Sequence, residues 1–129
     1  MPTTHKVAPD PALVNVEPSI EELLKIVRDA IEDKKGERVT LLDLSGVVDY
    51  LDYLVICSGQ TEIQNRAIAD NIIEKLGRYG ILPDAVNGHS GGQWILLDYG
   101  VLVVHIFLNR LREYYRLEEL WAGGTEVPV

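Results

Sequence analysis

The chain has 129 residues, 20 acidic and 12 basic, for a formal net charge of −8; 47% are hydrophobic and 25% charged. That size and balance suit one globular domain and exclude a disordered chain. The acidity argues against a sequence-independent grip on DNA or RNA, and against docking on an anionic membrane, because both need clustered Lys and Arg.

Residues 1–18 hold four of the six prolines and no sustained period, which predicts a mobile tail. Ser19-Ile20-Glu21-Glu22 has the spacing of a capping box. Ile20, Leu23, Leu24, Val27, Ala30 and Ile31 follow at helical intervals, and Lys34, Lys35 and Gly36 close the helix. Residues 39–44 read as a strand that Ser45-Gly46 breaks. Residues 53–57 read as a second strand, apolar throughout, as expected when both sheet faces are covered. Thr61-Glu62-Ile63-Gln64 repeats the capping-box pattern before a helix to about residue 79. On that helix Glu62, Arg66, Asp70, Glu74 and Arg78 recur every fourth residue and read as a solvated face. Residues 85–86 suit a short edge strand, and Gly88, Gly91 and Gly92 a flexible loop. Residues 94–98 and 101–107 flank Tyr99-Gly100 as an antiparallel hairpin. Residues 109–121 read as one or two short helices, and those after Gly123 as a frayed tail. The order α-β-β-α-β-β-β-α predicts a single α/β domain with a mixed five-stranded sheet flanked by helices.

The charge is evenly spread, since residues 1–36, 37–82 and 83–129 carry −2, −3 and −3. No segment hides a basic arm. Such a surface can steer a basic protein partner into place, or serve only to keep the chain soluble. Cys57 stands alone, so neither an intrachain disulfide nor a Cys-based zinc site can form, and it reads as a buried small hydrophobe in a reducing compartment. No apolar run approaches the ~20 residues that span a bilayer. A cytoplasmic protein is expected.

Catalytic chemistry finds thin support. His5, His89 and His105 lie in the tail, the glycine loop and the last strand, and none has the helical spacing of a zinc pair. No cofactor is expected. Ser58-Gly59 precedes a helix, where a phosphate could sit, and the αββα order is similar to that of nucleotidyltransferases. Those enzymes hold magnesium with two carboxylates one residue apart. Here Asp98 stands alone, with Leu96 in the second acid's place, while Asp49 and Asp52 lie in a loop. A nucleotide-binding or nucleotidyl-transferring module built on Ser58-Gly59 is thus the alternative from another class. Trp94, Leu96 and Asp98 share one strand face. Either they form a protein-binding stripe, or Trp94 packs under a helix and Asp98 serves a turn. Tyr114, Tyr115 and Trp121 pose the same choice near the C-terminus.

Six stretches, in order, resemble the ribosomal silencing factor family, also called the iojap family. They are Asp43-Leu44-Ser45-Gly46; Leu51-Asp52-Tyr53-Leu54-Val55-Ile56-Cys57-Ser58-Gly59; Arg66-Ala67-Ile68-Ala69-Asp70; Trp94-Ile95-Leu96-Leu97-Asp98-Tyr99-Gly100; Val103-Val104-His105-Ile106-Phe107; and Tyr115-Arg116-Leu117-Glu118-Glu119-Leu120-Trp121. The resemblance covers roughly residues 19–122, leaving 1–18 and 123–129 as tails. It implies a nucleotidyltransferase-like shape without catalysis. It also implies a translation repressor that binds the large ribosomal subunit through ribosomal protein L-fourteen and blocks joining of the small subunit. Homodimers are implied for the free state. The implied contact residues are Trp94, Leu96 and Asp98, with Tyr99 and Tyr115. The chain departs from the family at Val101, where an acidic residue usually follows the hairpin glycine, so Asp98 is left as the acid nearby.

Overall fold

The computed structural model describes residues 8–49, 52–115 and 124–128. Helix α1 (Ile20–Asp33) begins as its capping box predicts. Ser19 Oγ accepts the Glu22 amide at 3.2 Å, and the Glu22 carboxylate accepts the Ser19 amide at 3.4 Å. Helix α2 (Glu62–Gly77) keeps only half of the expected device. Thr61 Oγ1 accepts the Gln64 amide at 3.1 Å, but the Gln64 side chain reaches past Thr61 to the Gln60 amide at 2.7 Å. Gln64 Nε2 also donates to the Lys34 and Lys35 carbonyls, so one side chain closes the end of α1 and the start of α2. Further along, Asn71 Nδ2 donates to the Ala30 carbonyl and to Asp33, tying the two helices together.

The strands are β1 (Glu37–Asp43), β2 (Tyr53–Gly59), β3 (Ala85–Asn87), β4 (Trp94–Asp98), β5 (Leu102–Leu108) and β6 (Thr125–Glu126), and a short helix, α3 (Asn109–Tyr115), follows β5. They form one mixed sheet in the order β3-β4-β5-β2-β1-β6, in which only β2 and β5 run parallel. Six strands therefore replace the five expected. The extra one comes from the segment read as a frayed tail: Glu126 pairs with Leu42, and the Val127 amide donates to the Leu41 carbonyl at 2.8 Å. Two polar residues give too short a run for any alternation to show, so the partner strand, not the local sequence, makes β6.

Both helices cover one sheet face. There Leu24, Val27 and Ile31 of α1 and Ile68, Ile72 and Leu76 of α2 pack on Leu41, Val55, Cys57, Ile95, Leu97, Val104 and Ile106. The other face carries a smaller cluster of Leu42, Leu44, Leu54, Ile56, Val103 and Phe107, with Leu96 packed against it. β2 is buried on both faces from Leu54 onward, as its unbroken apolar run required. Cys57 is fully buried, and desolvation pushes its thiol up to about 12, which suits a packing residue rather than a nucleophile.

Residues 8–18 do not hang free as a tail. The Asp10 amide donates to the Arg78 carbonyl at 2.9 Å, Asp10 Oδ1 accepts the Ala12 amide, and the Leu13 side chain lines a groove between α1 and the end of α2. The prolines break helix and strand periods, yet a turn can still dock by backbone hydrogen bonds. The glycine loop is likewise held. Asn65 Nδ2 donates to the Gly92 carbonyl, Arg66 to the Ser90 carbonyl, and His89 Nε2 lies 2.7 Å from Asp70 Oδ1. Arg66 and Asp70, read as part of a solvated face, are the α2 side of that clamp. Glu74 and Arg78 do pair along the helix, at 2.8 Å.

Candidate protein-docking face

Strands β4 and β5 set the site. Their pairing places Trp94 opposite Phe107, Leu96 opposite His105 and Asp98 opposite Val103. Alternation then gathers Trp94, Leu96, His105 and Phe107 on the face away from α1 and α2. Phe107 is buried, His105 half-buried, and Trp94 remains 43% exposed. Their rings touch: Trp94 and Phe107 have centroids 4.6 Å apart at 47°, and His105 stacks on Phe107 at 5.7 Å and 5°. Trp94 Nε1 donates to His105 Nδ1 at 3.0 Å. Since an indole nitrogen only donates, Nδ1 must carry a lone pair, and the neutral ring keeps its proton on Nε2. Burial favours that state by pushing the imidazole down to about 4.

The five residues expected to act together are only partly brought together. Trp94 and Leu96 share this face, with Trp94 exposed and Leu96 resting on the smaller core. Asp98 ends the same strand and also serves the turn, its Oδ1 accepting the Gly100 amide at 2.8 Å. Both readings of Asp98 are therefore compatible. Tyr99 goes elsewhere. It packs against the core under the helices, its hydroxyl is buried without a hydrogen-bond partner among the described residues, and burial raises its phenol. Alternation itself sends it there, with Ile95 and Leu97, to the face opposite Trp94, Leu96 and Asp98. Tyr115 closes α3, but its side chain and all of Trp121 lie outside the described residues. Val101 is 43% exposed at the hairpin tip, so an apolar side chain stands there. His105 and Phe107 complete the aromatic group. Their alternation was visible in the sequence, but their alignment with Trp94 needed the strand register.

Ser58 and Gly59, read as a turn, are the last residues of β2 and pair with Phe107 and Leu108 of β5. Ser58 is fully buried, and its Oγ accepts from Arg112 of α3 at 3.2 Å; Arg112 also donates to Thr40 Oγ1 and to the Arg38 carbonyl within a bulge of β1. A Cβ on Gly59 would sit 2.1 Å from Asn65 Oδ1, so side chains fill the space beside this strand end. Among the described residues no three His, Cys, Asp or Glu gather as metal ligands, and no helix is long and apolar enough to cross a membrane.

Residues 17–129 match the family model described as ribosomal silencing factor during starvation. The chain is 37% identical over 111 residues to the ribosomal silencing factor RsfS of Halalkalibacterium halodurans, covering 86% of this chain and 95% of that protein. It is 38% identical over 104 residues to the RsfS of Bacillus subtilis, covering 81% and 88%. In three dimensions it is similar to a crystal structure of a Chromobacterium violaceum protein, with a TM-score of 0.78, 33% identity and coverage of 86% and 92%. With the family match spanning the whole sheet and both long helices, the chain belongs to the ribosomal silencing factor (RsfS) family.

Proposed function

We propose that this protein represses translation by occupying the large ribosomal subunit, through ribosomal protein L-fourteen, so that the small subunit cannot join. The observation that carries this reading is Trp94, a large aromatic residue left 43% exposed on the sheet face away from the two long helices, on a strand paired to β5. Monomer surfaces seldom spend a tryptophan on water, whereas interface centres favour one. The row from Trp94 to Asp98 runs about 13 Å along the strand, enough to anchor part of a standard ~1,600 Å² interface. Leu96 extends the apolar surface, Asp98 supplies a negative charge for a basic partner, and the family resemblance adds Tyr115 to the contact residues. Tyr99 supports it from the far side of the hairpin.

The mechanism is steric and uses no cofactor and no catalysis, even though the layering resembles that of nucleotidyltransferases. The net charge of −8 fits this division of labour. Ribosomal RNA repels the domain over most of the particle, so a basic ribosomal protein is the favoured contact. The protein acts in the cytoplasm, and free molecules pair as homodimers.

A subunit-joining experiment followed by gradient sedimentation tests the reading. Added protein should co-migrate with large subunits and lower the yield of joined ribosomes. Unchanged joining, with protein left at the top of the gradient, would refute it.

A further inference from the structure

We propose that His105 is a positioning residue, which holds the Trp94 indole in its partner-facing pose and satisfies its N–H from within the chain. The inference rests on the reading of Trp94 as the residue that meets the ribosome.

The geometry is specific. Trp94 sits opposite Phe107, and its indole leans diagonally across the hairpin to His105 Nδ1 at 3.0 Å. Phe107 supports both rings, stacked against His105 and tilted against Trp94. Two consequences follow. An exposed tryptophan normally loses rotamer freedom when a partner captures it, and a ring already held loses less. An indole N–H buried against a partner also needs an acceptor, or it is stranded without water. Here the acceptor belongs to the same molecule. The receiving surface can therefore be wholly apolar around the ring, with no carbonyl or carboxylate aimed at Nε1. Burial keeps the imidazole neutral near pH 7, so Nδ1 stays available to accept.

Two substitutions separate positioning from packing. His105→Phe keeps a ring to stack on Phe107 but removes the acceptor. His105→Asn loses the ring but keeps an oxygen near the place of Nδ1. Binding to purified large subunits is measured by co-sedimentation. The Trp94 indole N–H is followed in ¹⁵N–¹H spectra, assigned by its absence in Trp94→Phe. If His105 positions Trp94, His105→Phe should bind about tenfold more weakly, with its indole N–H shifted and exchanging faster. His105→Asn should stay near wild type in both readouts. Normal binding by His105→Phe with loss in His105→Asn would overturn the proposal, as would equal losses in both or an unmoved indole signal in His105→Phe. Trp94→Ala distinguishes the two levels. If it loses binding while His105→Phe does not, positioning alone fails; if it binds normally, the docking reading fails and the positioning role with it.

Discussion

Arg112 reaches from α3 into the sheet and donates to Ser58 Oγ at 3.2 Å, at the strand end where a nucleotide could have been expected. Arg112 is 1% exposed, and its guanidinium also donates to Thr40 and the Arg38 carbonyl. Ser58 thus has its hydroxyl engaged in holding α3 on the sheet, away from any phosphate. Calorimetry with nucleoside triphosphates and magnesium should show no binding heat. Binding that disappears in Ser58→Ala would restore the nucleotide reading. Arg112→Met should cost about 3 kcal/mol in urea unfolding, because it strips donors from several buried acceptors at once.

Trp94→Ala removes the exposed ring, with its tilted contact to Phe107 and its hydrogen bond to His105. Stability should fall by about 1 to 2 kcal/mol, the scale of one aromatic pair and one hydrogen bond. Co-sedimentation with large subunits should be lost. A folded Trp94→Ala protein that still binds would place the interface elsewhere.

Asp98 has a charge and a turn to serve, and two substitutions tell them apart. Asp98→Asn keeps an oxygen for the Gly100 amide and removes the charge. Its stability should stay near wild type while association slows at low salt, a difference that screening erases as salt rises. Asp98→Lys loses the turn acceptor as well and should also cost about 1 kcal/mol in folding. Association that slows equally at all salt concentrations would assign Asp98 to packing.

The elements were legible in the sequence because each long one carries its own period or cap. Ser19 and Glu22 announced α1, and the unbroken apolar run of β2 announced a strand covered on both sides. What the sequence withheld depends on pairing. A two-residue loop at Tyr99-Gly100 would set Trp94 opposite His105; the observed loop is longer, and Phe107 takes that place. A shift of two residues preserves which side chains share a face but changes who touches whom. The hydrogen bond from Trp94 to His105 is therefore readable only from the register. The same reasoning covers β6 and the Asp10 turn, which form on partners distant in sequence. Asp43 shows the reverse case. Within the family-like Asp43-Leu44-Ser45-Gly46 stretch, its Oδ1 accepts both the amide and the hydroxyl of Ser45, which holds its carboxyl below the usual range. That local turn was visible as a break in the strand.

His105 should also leave a signature in the pH dependence of stability. Unfolded, the imidazole takes up a proton near its ordinary 6.5; folded, burial delays this to about 4. Between those values the unfolded chain binds more protons, so stability falls as pH drops through the window. Above it this group has no effect. Asp43 also loses its contribution on acidification, but at lower pH, below the ordinary carboxylate value of 3.8. Urea titrations from pH 7 to 4 should therefore show a slope that His105→Phe flattens. An unchanged slope in that variant would assign the loss to other groups.

Gly88 links the glycine loop to the docking strand. Its φ is +77°, in the left-handed region that side chains resist, and a Cβ there would lie 2.1 Å from the Trp94 carbonyl oxygen. Backbone cannot yield as a flexible side chain can, so either the loop or the start of β4 must move. Gly88→Ala should cost about 2 kcal/mol or more in unfolding, combining the conformational penalty with the clash. Because the clash is with Trp94's own backbone, binding to large subunits should weaken even where the variant is fully folded. Gly91 provides the control: a Cβ there would come no closer than 3.9 Å to the Gly88 carbonyl oxygen. Gly91→Ala should leave both stability and binding close to wild type, and equal damage from the two substitutions would remove the Trp94 backbone from the explanation.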